Sequence, residues 1–407
     1  MSLNDTPSGE RVHIGFFGRR NAGKSSVVNA VTGQELAVVS DTKGTTTDPV
    51  SKAMELLPLG PVMIIDTPGF DDEGRLGELR VRKTKQILNK TDIAVLVIDA
   101  TEGLKQCEKE LLSIFKEKDI PHLLVYNKED ILSKEEKKVL EEKQTEKENN
   151  VYVSALKKTH INELKEKLAR LVKTDSPKQQ LVSDLVEPSD LIVLVIPIDG
   201  SAPKGRLILP QQQVIRDILE AGGAAVCVKE TELSGLLSDI GKRPAMVITD
   251  SQAFAKVSKD VPDEIPLTSF SILMARYKGF LEEAVHGAAA IEHLKDGDHI
   301  LISEGCTHHR QCEDIGTVKL PNWLKKYTGK ELIIETSSGR EFPEDLSPFS
   351  LVIHCGGCML NEREMKYRMK CAKDQEIPFT NYGTAIAYMQ GILKRSIRIF
   401  PDLLALI

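Results

Sequence analysis

Apolar residues in this chain fall into short continuous runs separated by longer polar or amphipathic stretches. Val12-His13-Ile14-Gly15-Phe16-Phe17, Val62-Met63-Ile64-Ile65, Leu123-Leu124-Val125-Tyr126 and Val151-Tyr152-Val153 have the length of buried strands, and 25–31 has the pattern of a helix. Strands alternate with helices from residue 11 to about 173. Residues 133–150 carry Glu and Lys at helical spacing, which predicts a solvated surface helix. Thr174-Asp175-Ser176-Pro177 then breaks the pattern and marks a boundary. A second α/β unit follows, with strands over 191–196, 224–228 and 245–248 and a helix over 210–219. Its apolar runs are continuous rather than alternating, which predicts a parallel sheet buried on both faces. A further boundary falls near Val261-Pro262, and beyond it come strands over 300–303 and 351–353 and a charged helix over 363–373. The expected fold class is therefore α/β in three domains, 1–173, 174–265 and 266–407, the first with a doubly wound, mostly parallel sheet.

A chain of 407 residues has ample length for more than one core. The net charge of −6 gives no basic groove for nucleic acid and no cationic membrane face. The longest apolar run, 191–198, is far too short to span a bilayer, and residues 1–5 have no secretory character, so a cytoplasmic location is expected. Seven cysteines, an odd number, argue against a disulfide framework and for ligands or buried thiols.

The first strand runs into Gly18-Arg19-Arg20-Asn21-Ala22-Gly23-Lys24-Ser25, a complete phosphate-binding loop followed by a helix. Backbone N–H groups around the glycines converge on a phosphate at a helix N-terminus. Gly18, Asn21, Ala22, Gly23, Lys24, Ser25 and Ser26 are the expected phosphate contacts, with Lys24 supplying charge and the Ser25 hydroxyl ligating Mg2+. Asp66-Thr67-Pro68-Gly69 places a carboxylate for Mg2+ at a strand end and offers the Gly69 N–H to a γ-phosphate. Asn127-Lys128-Glu129-Asp130 also follows a strand, and the Asp130 carboxylate can accept from the N1–H and exocyclic amine of guanine, which adenine cannot match. The Lys128 stem would lie along the base. Ser154-Ala155-Leu156 is the expected backbone contact to the guanine carbonyl. Four short motifs in this order, each at a strand end, point to GTP and GDP as ligands and to a P-loop GTPase domain.

Gly44-Thr45-Thr46-Thr47-Asp48 resembles the first switch signature of the TrmE-Era class of GTPases, which implies Thr46 as a second hydroxyl ligand of Mg2+. Phe70-Asp71-Asp72 after Gly69 lacks the water-orienting Gln of Ras-like proteins. In the TrmE class an Asn of the phosphate loop helps hold K+, and Asn21 occupies the matching position; the alternative role for Asn21 is a turn residue tolerating an unusual backbone angle.

The strand over 300–303 leads to Cys306-Thr307-His308, and the strand over 351–353 leads to His354-Cys355-Gly356-Gly357-Cys358. In a parallel sheet both strand ends face one edge, so these ligands can meet, and the two glycines let the chain wrap so that both sulfurs face one centre. The spacing fits a Cys3His zinc site and a three-cysteine iron–sulfur cluster equally. Cys312 and Cys371 read as core residues, with extra ligation as the alternative; Cys107 and Cys227 read as packing, and Lys366, Arg368, Lys370 and Lys373 as a solvated helix face.

The whole arrangement, a TrmE-like G domain, a central α/β module and Cys-x-His followed by His-Cys-Gly-Gly-Cys, resembles the HydF family of GTPase scaffolds in [FeFe]-hydrogenase maturation. That resemblance implies a [4Fe-4S] cluster on Cys306, Cys355 and Cys358, with the fourth iron exchangeable or weakly held by His308 or His354. It also implies a homodimer formed through the central domain, transient carriage of a diiron precursor, encounters with two radical S-adenosylmethionine maturases, and delivery to apo-[FeFe]-hydrogenase. The rival expectations are a TrmE-like RNA-modification GTPase and a zinc-stabilised GTPase switch.

Overall fold

A computed structural model of the chain describes residues 6–34, 50–69, 84, 86–133, 135–136, 149–172, 180–198, 207–305, 315–339 and 341–404. Thr46, Cys306, His308, Cys312 and most of the 133–150 stretch lie outside the described residues. The chain divides into two compact units, Met1–Ser176 and Pro177–Ile407.

The first unit contains β1 (Val12–Gly18), α1 (Lys24–Thr32), β2 (Val50–Leu56), β3 (Gly60–Asp66), β4 (Ile93–Asp99), α2 (Gln106–Glu117), β5 (His122–Asn127), β6 (Asn150–Tyr152) and α3 (Ile161–Leu171). The sheet order is β2-β3-β1-β4-β5-β6, parallel except for β2, which runs antiparallel to β3. Period-two alternation on β1 and β4 sends side chains into two cores. Ile14, Phe16, Val95 and Val97 pack with Val27 and Val31 of α1 and Leu164 and Leu168 of α3. Phe17, Leu96 and Ile98 pack with Leu111 and Phe115 of α2. Each such side chain removed from water contributes about 1.5–3 kcal/mol, so helices on both faces hold the strands in place. The C-terminal ends of β1, β3 and β5, where the phosphate and base motifs lie, share one sheet edge.

The second unit has two four-stranded sheets. The first is built from β7 (Leu191–Val195), α4 (Leu209–Glu220), β8 (Ala224–Val228), α5 (Leu233–Asp239), β9 (Met246–Thr249), α6 (Phe254–Asp260) and β10 (Leu267–Ser269), in the order β10-β9-β7-β8. After α7 (Phe270–Tyr277) and α8 (Leu281–Ala288), the second comprises β11 (His299–Glu304), α9 (Leu320–Thr328), β12 (Ile333–Ser338), β13 (Leu351–His354), α10 (Glu362–Asp374), β14 (Phe379–Asn381) and α11 (Tyr382–Met389), in the order β12-β11-β13-β14. Every pairing in both sheets is parallel. One hydrophobic core runs through both, from Leu181 to Phe400.

Hydrogen bonds fasten β14 to the two helices that link the sheets: Asn381 Nδ2 donates to Ser271 O of α7 at 3.0 Å and the Thr380 hydroxyl donates to Ala284 O of α8 at 2.7 Å. Gly287 sits at this seam, where a Cβ would come within 2.1 Å of Phe379 O, so no larger residue fits.

Two expectations need correction. The run 224–228 is not buried on both faces: β8 is an edge strand, with Ala224 and Cys227 exposed, so Cys227 is not a packing residue. Arg368 is not on a solvated helix face; it is 1 % exposed. Its position on α10 aligns with buried Met365 and Ala372, one turn before and after, so the helix turns it inward.

Candidate functional site

In the first unit the phosphate loop joins β1 to α1. Gly23 caps α1 with φ +80 and no side-chain cap, so the first helical N–H groups face outward unshared by a capping side chain. A Cβ on Gly23 would meet Asn127 Nδ2 at 2.2 Å, and one on Gly18 would meet Val97 O at 2.6 Å, so both glycines are required by close approach. Asn21 has φ +62 and is exposed, the backbone angle of a turn residue.

Lys24 is buried and paired through its ammonium with Asp66, while the Ser25 hydroxyl donates to the other Asp66 oxygen at 3.0 Å. Hydroxyl and carboxylate thus lie within the span of one hard cation, and they fit Mg2+. Thr67 is locked to β1, its N–H and hydroxyl both donating to Phe16 O, which sets the start of the segment leading to Gly69.

The residues expected to recognise the base converge from two strand ends. Asn127 Nδ2 donates to Ala22 O at 3.0 Å and Asn127 Oδ1 accepts from Ala155 N at 3.0 Å. One side chain therefore ties the phosphate loop to the Ser154 loop, and the Ala155 N–H is used for that tie. Lys128 has φ +69 and its ammonium reaches Asp99 Oδ2 at 2.6 Å. Burial opposes ionisation of Asp99, but hydrogen bonds from Lys128 and Thr101 outweigh it and hold the carboxyl below its usual range. A hydrogen bond from the Ser154 side chain likewise holds the Asp130 carboxyl low, so it stays an acceptor at neutral pH. Asp99 was missed in the motif reading although it sits at the end of β4. Arg19 was missed too: its Nε donates to the fully buried Glu108 at 3.0 Å, fastening the loop to α2.

In the second unit, β11 and β13 are neighbours with Ser303 opposite His354. Cys355 Sγ accepts from Gly305 N at 3.1 Å and from Gly357 N at 3.4 Å. Gly357 holds φ +65, and a Cβ there would meet Met365 Sδ at 2.7 Å, so the Cys355–Cys358 turn needs this glycine. Burial pushes the Cys355 thiol up, and burial followed by the neighbouring Cys355 pushes Cys358 up to about 12. Two desolvated thiols that nevertheless receive backbone N–H donors suit a bound soft metal, whose charge would ionise both. The buried Lys278, which donates to Leu360 O at 2.8 Å, also favours the Cys358 thiolate. The donor set therefore fits a thiolate-held metal group. Among the described residues no cluster of three or more His, Cys, Asp and Glu side chains converges.

His354 is fully buried and its two ring nitrogens are both engaged. Nδ1 lies 2.7 Å from Cys355 O, and Nε2 lies 3.1 Å from the Arg368 guanidinium. Burial, and then Arg368, push its pKa down to about 3, so the ring is neutral. Glu304, at the end of β11, is buried and accepts from the Tyr382 hydroxyl at 3.1 Å. No helix among the described residues is long and apolar enough to cross a membrane.

The doubly wound sheet with phosphate and guanine loops at one edge defines the first unit as a P-loop GTPase domain, and residues 13–128 match the family model of the 50S ribosome-binding GTPases. Residues 181–279 match the hydrogen maturase F dimerization domain and residues 282–399 the hydrogen maturase F tetramerization domain, together just over half of the chain. The chain belongs to the hydrogen maturase F family.

Among curated proteins it is similar to GTPase Der of Wolinella succinogenes, 34% identical over 42% of this chain and 37% of that one. It is also similar to the tRNA modification GTPase MnmE of Natranaerobius thermophilus, 34% identical over 40% of this chain and 35% of that one. The chain thus spans well under half the length of these relatives. Era of Aquifex aeolicus bound to GDP.AlF4- is a solved structure with 20% identity and a TM-score of 0.36, covering 53% of this chain and 91% of that one.

Proposed function

We propose that this chain is a nucleotide-switched scaffold of [FeFe]-hydrogenase maturation. The N-terminal domain, 1–173, binds GTP with Mg2+ on Lys24, Ser25, Thr46 and Asp66 and hydrolyses it with K+ at Asn21. Domains 174–265 and 266–407 supply self-association, starting from a homodimer, and a [4Fe-4S] cluster on Cys306, Cys355 and Cys358. The cluster supplies an iron with an open coordination position, and three thiolates leave that position free for reversible attachment of the diiron precursor. Two radical S-adenosylmethionine maturases and apo-[FeFe]-hydrogenase are the partners, and the cytoplasm is the location.

The observation that carries this reading is the Cys355-Gly356-Gly357-Cys358 turn, whose first sulfur receives two backbone N–H groups beside the end of β11. Loss of the γ-phosphate would release Thr46 and Gly69, and the switch segments would relax against a partner; nucleotide turnover then times cargo transfer rather than acting on iron.

The test is anaerobic reconstitution followed by absorption, iron and sulfide analysis and activation of apo-hydrogenase. Cys355→Ser and Cys358→Ser are expected to lose the cluster and all activation while keeping GTP turnover, because serine oxygen is a poor substitute for thiolate on iron. Lys24→Ala is expected to lose turnover and keep the cluster. Stoichiometric zinc in place of iron, or activation by a cysteine variant, would refute the scaffold reading in favour of a zinc-stabilised switch.

A further inference from the structure

Among the described residues Arg368 is the largest fully buried side chain, and its charge, which also favours the Cys355 thiolate, is held in place by more contacts than that effect needs. Its guanidinium makes four hydrogen bonds. Nη1 donates to His354 Nε2 at 3.1 Å and to Ser303 Oγ at 3.4 Å; Nη2 donates to Gly339 O at 2.5 Å and to Glu364 Oε1 at 2.7 Å. It also stacks on Phe342, 5.1 Å from the ring centroid. A side chain held by β11, α10, the end of β12 and an aromatic face has one available geometry.

That geometry dictates the state of His354. A guanidinium has only donors, so Nε2 must be the bare, accepting nitrogen. A carbonyl has only lone pairs, so Nδ1, 2.7 Å from Cys355 O, must carry the proton. The ring is further clamped by stacking on Phe379 at 5.9 Å. The one nitrogen with a lone pair is thus occupied by Arg368, and the other has none to give.

We infer that Arg368 is a positioning residue that withholds His354 from the metal: by donating to Nε2 it fixes the imidazole as a neutral strut beneath the Cys355–Cys358 turn, so that the thiolates alone anchor the group and the remaining position stays exchangeable. The inference rests on the metal-site reading proposed above. It differs from the ligand set implied by the sequence resemblance, in which His354 was a candidate fourth ligand. The register supports the strut role, since His354 faces Ser303 across the β11–β13 pair and Ser303 O accepts from Cys355 N at 2.9 Å.

The experiment has two arms on the full-length protein. Nitrogen NMR of histidine-labelled protein without added metal reads the tautomer: His354 is expected as the Nδ1–H form with Nε2 unprotonated, and Arg368→Met is expected to shift the Nε2 resonance. An Nε2–H tautomer in the wild type overturns the inference. Pulsed EPR of the reduced, reconstituted protein reads iron ligation. The wild-type spectrum is expected to be unchanged by His354→Asn, whereas Arg368→Met is expected to gain an imidazole nitrogen coupling that disappears in Arg368→Met/His354→Asn. A wild-type coupling lost in His354→Asn, or a cluster-bearing Arg368→Met protein with no new coupling, overturns it. Should Arg368→Met fail to fold, Arg368→Lys keeps the charge but loses the fork, and is expected to give a weaker version of the same gain; no gain there overturns the inference. Failure to assemble any iron–sulfur cluster would sink the metal-site reading, while the NMR arm would still decide the Arg368–His354 relation.

Discussion

Asn127 and Ala22, 105 positions apart, are joined by a buried hydrogen bond from the Asn127 amide to the Ala22 carbonyl. The same side chain accepts from Ala155 N, so the loop for the phosphates and the loop for the base are set by one residue. Asn127→Ala leaves the buried Ala22 carbonyl without its partner, at about 1–3 kcal/mol, and frees the part-buried Ala155 N–H as well. Nucleotide affinity, followed by fluorescence of a labelled GDP, is expected to fall tenfold or more, at the ~1.4 kcal/mol per decade of the binding constant. An unchanged affinity would show that the two loops are positioned independently.

The carboxylate proposed to read the base is Asp130, which a hydrogen bond from the Ser154 side chain keeps ionised at neutral pH. Asp130→Asn is expected to exchange guanine for xanthine, because an amide can donate to the extra carbonyl where the carboxylate accepted. Competition between GTP and XTP for the purified variant measures this directly; retained GTP preference would place the recognition carboxylate elsewhere.

Asn21 stands exposed in the phosphate loop with a left-handed backbone. If it holds K+, GTP hydrolysis runs faster in K+ than in Na+, and Asn21→Gly, which keeps the backbone angle, abolishes the difference. Equal rates of the wild type in the two salts refute the potassium role.

Acid sensitivity of the second unit is expected from Asp184, to which Arg276 donates through both terminal nitrogens. Those hydrogen bonds, against burial, hold the Asp184 carboxyl below its usual range. A depressed folded-state pKa makes the contribution complete above the unfolded carboxylate value of about 3.9, and it is lost as pH falls through the lower folded value. Asp184→Asn is therefore expected to cost about 1 kcal/mol near neutrality, with the deficit shrinking in acid. Urea unfolding across a pH series tests it, and a deficit as large in acid as at neutrality would disprove the linkage.

The GTPase domain was legible in the sequence because its phosphate-loop pattern is local: Gly23, Lys24 and Ser25 are adjacent, and the strands before Asp66 and Asn127 are long apolar runs. The strands β10 and β14 were not legible, since three residues each carry no period. Arg368 was misread for an instructive reason. On α10 the exposed pairs Glu362–Lys366 and Lys370–Asp374 give the whole stretch a solvated look. The spacing of Met365, Arg368 and Ala372 was the available signal, one helical face that includes a charge. The Asp99–Lys128 and Arg19–Glu108 contacts join distant segments, and no spacing along the chain announces them.

The side-by-side pairing of β11 with β13 has a temporal meaning. Gly305 and Cys355, which share an N–H···S bond, are separated by 50 positions, and the chain between them makes an excursion through α9 and the edge strand β12 before returning. Closing that excursion costs loop entropy that a two-thiol turn could not repay on its own. Small zinc modules fold around their metal because the ion is present at nucleation. Here the β11–β13 pairing itself brings the two segments together, so the metal group proposed above would enter a cradle that the sheet has already built.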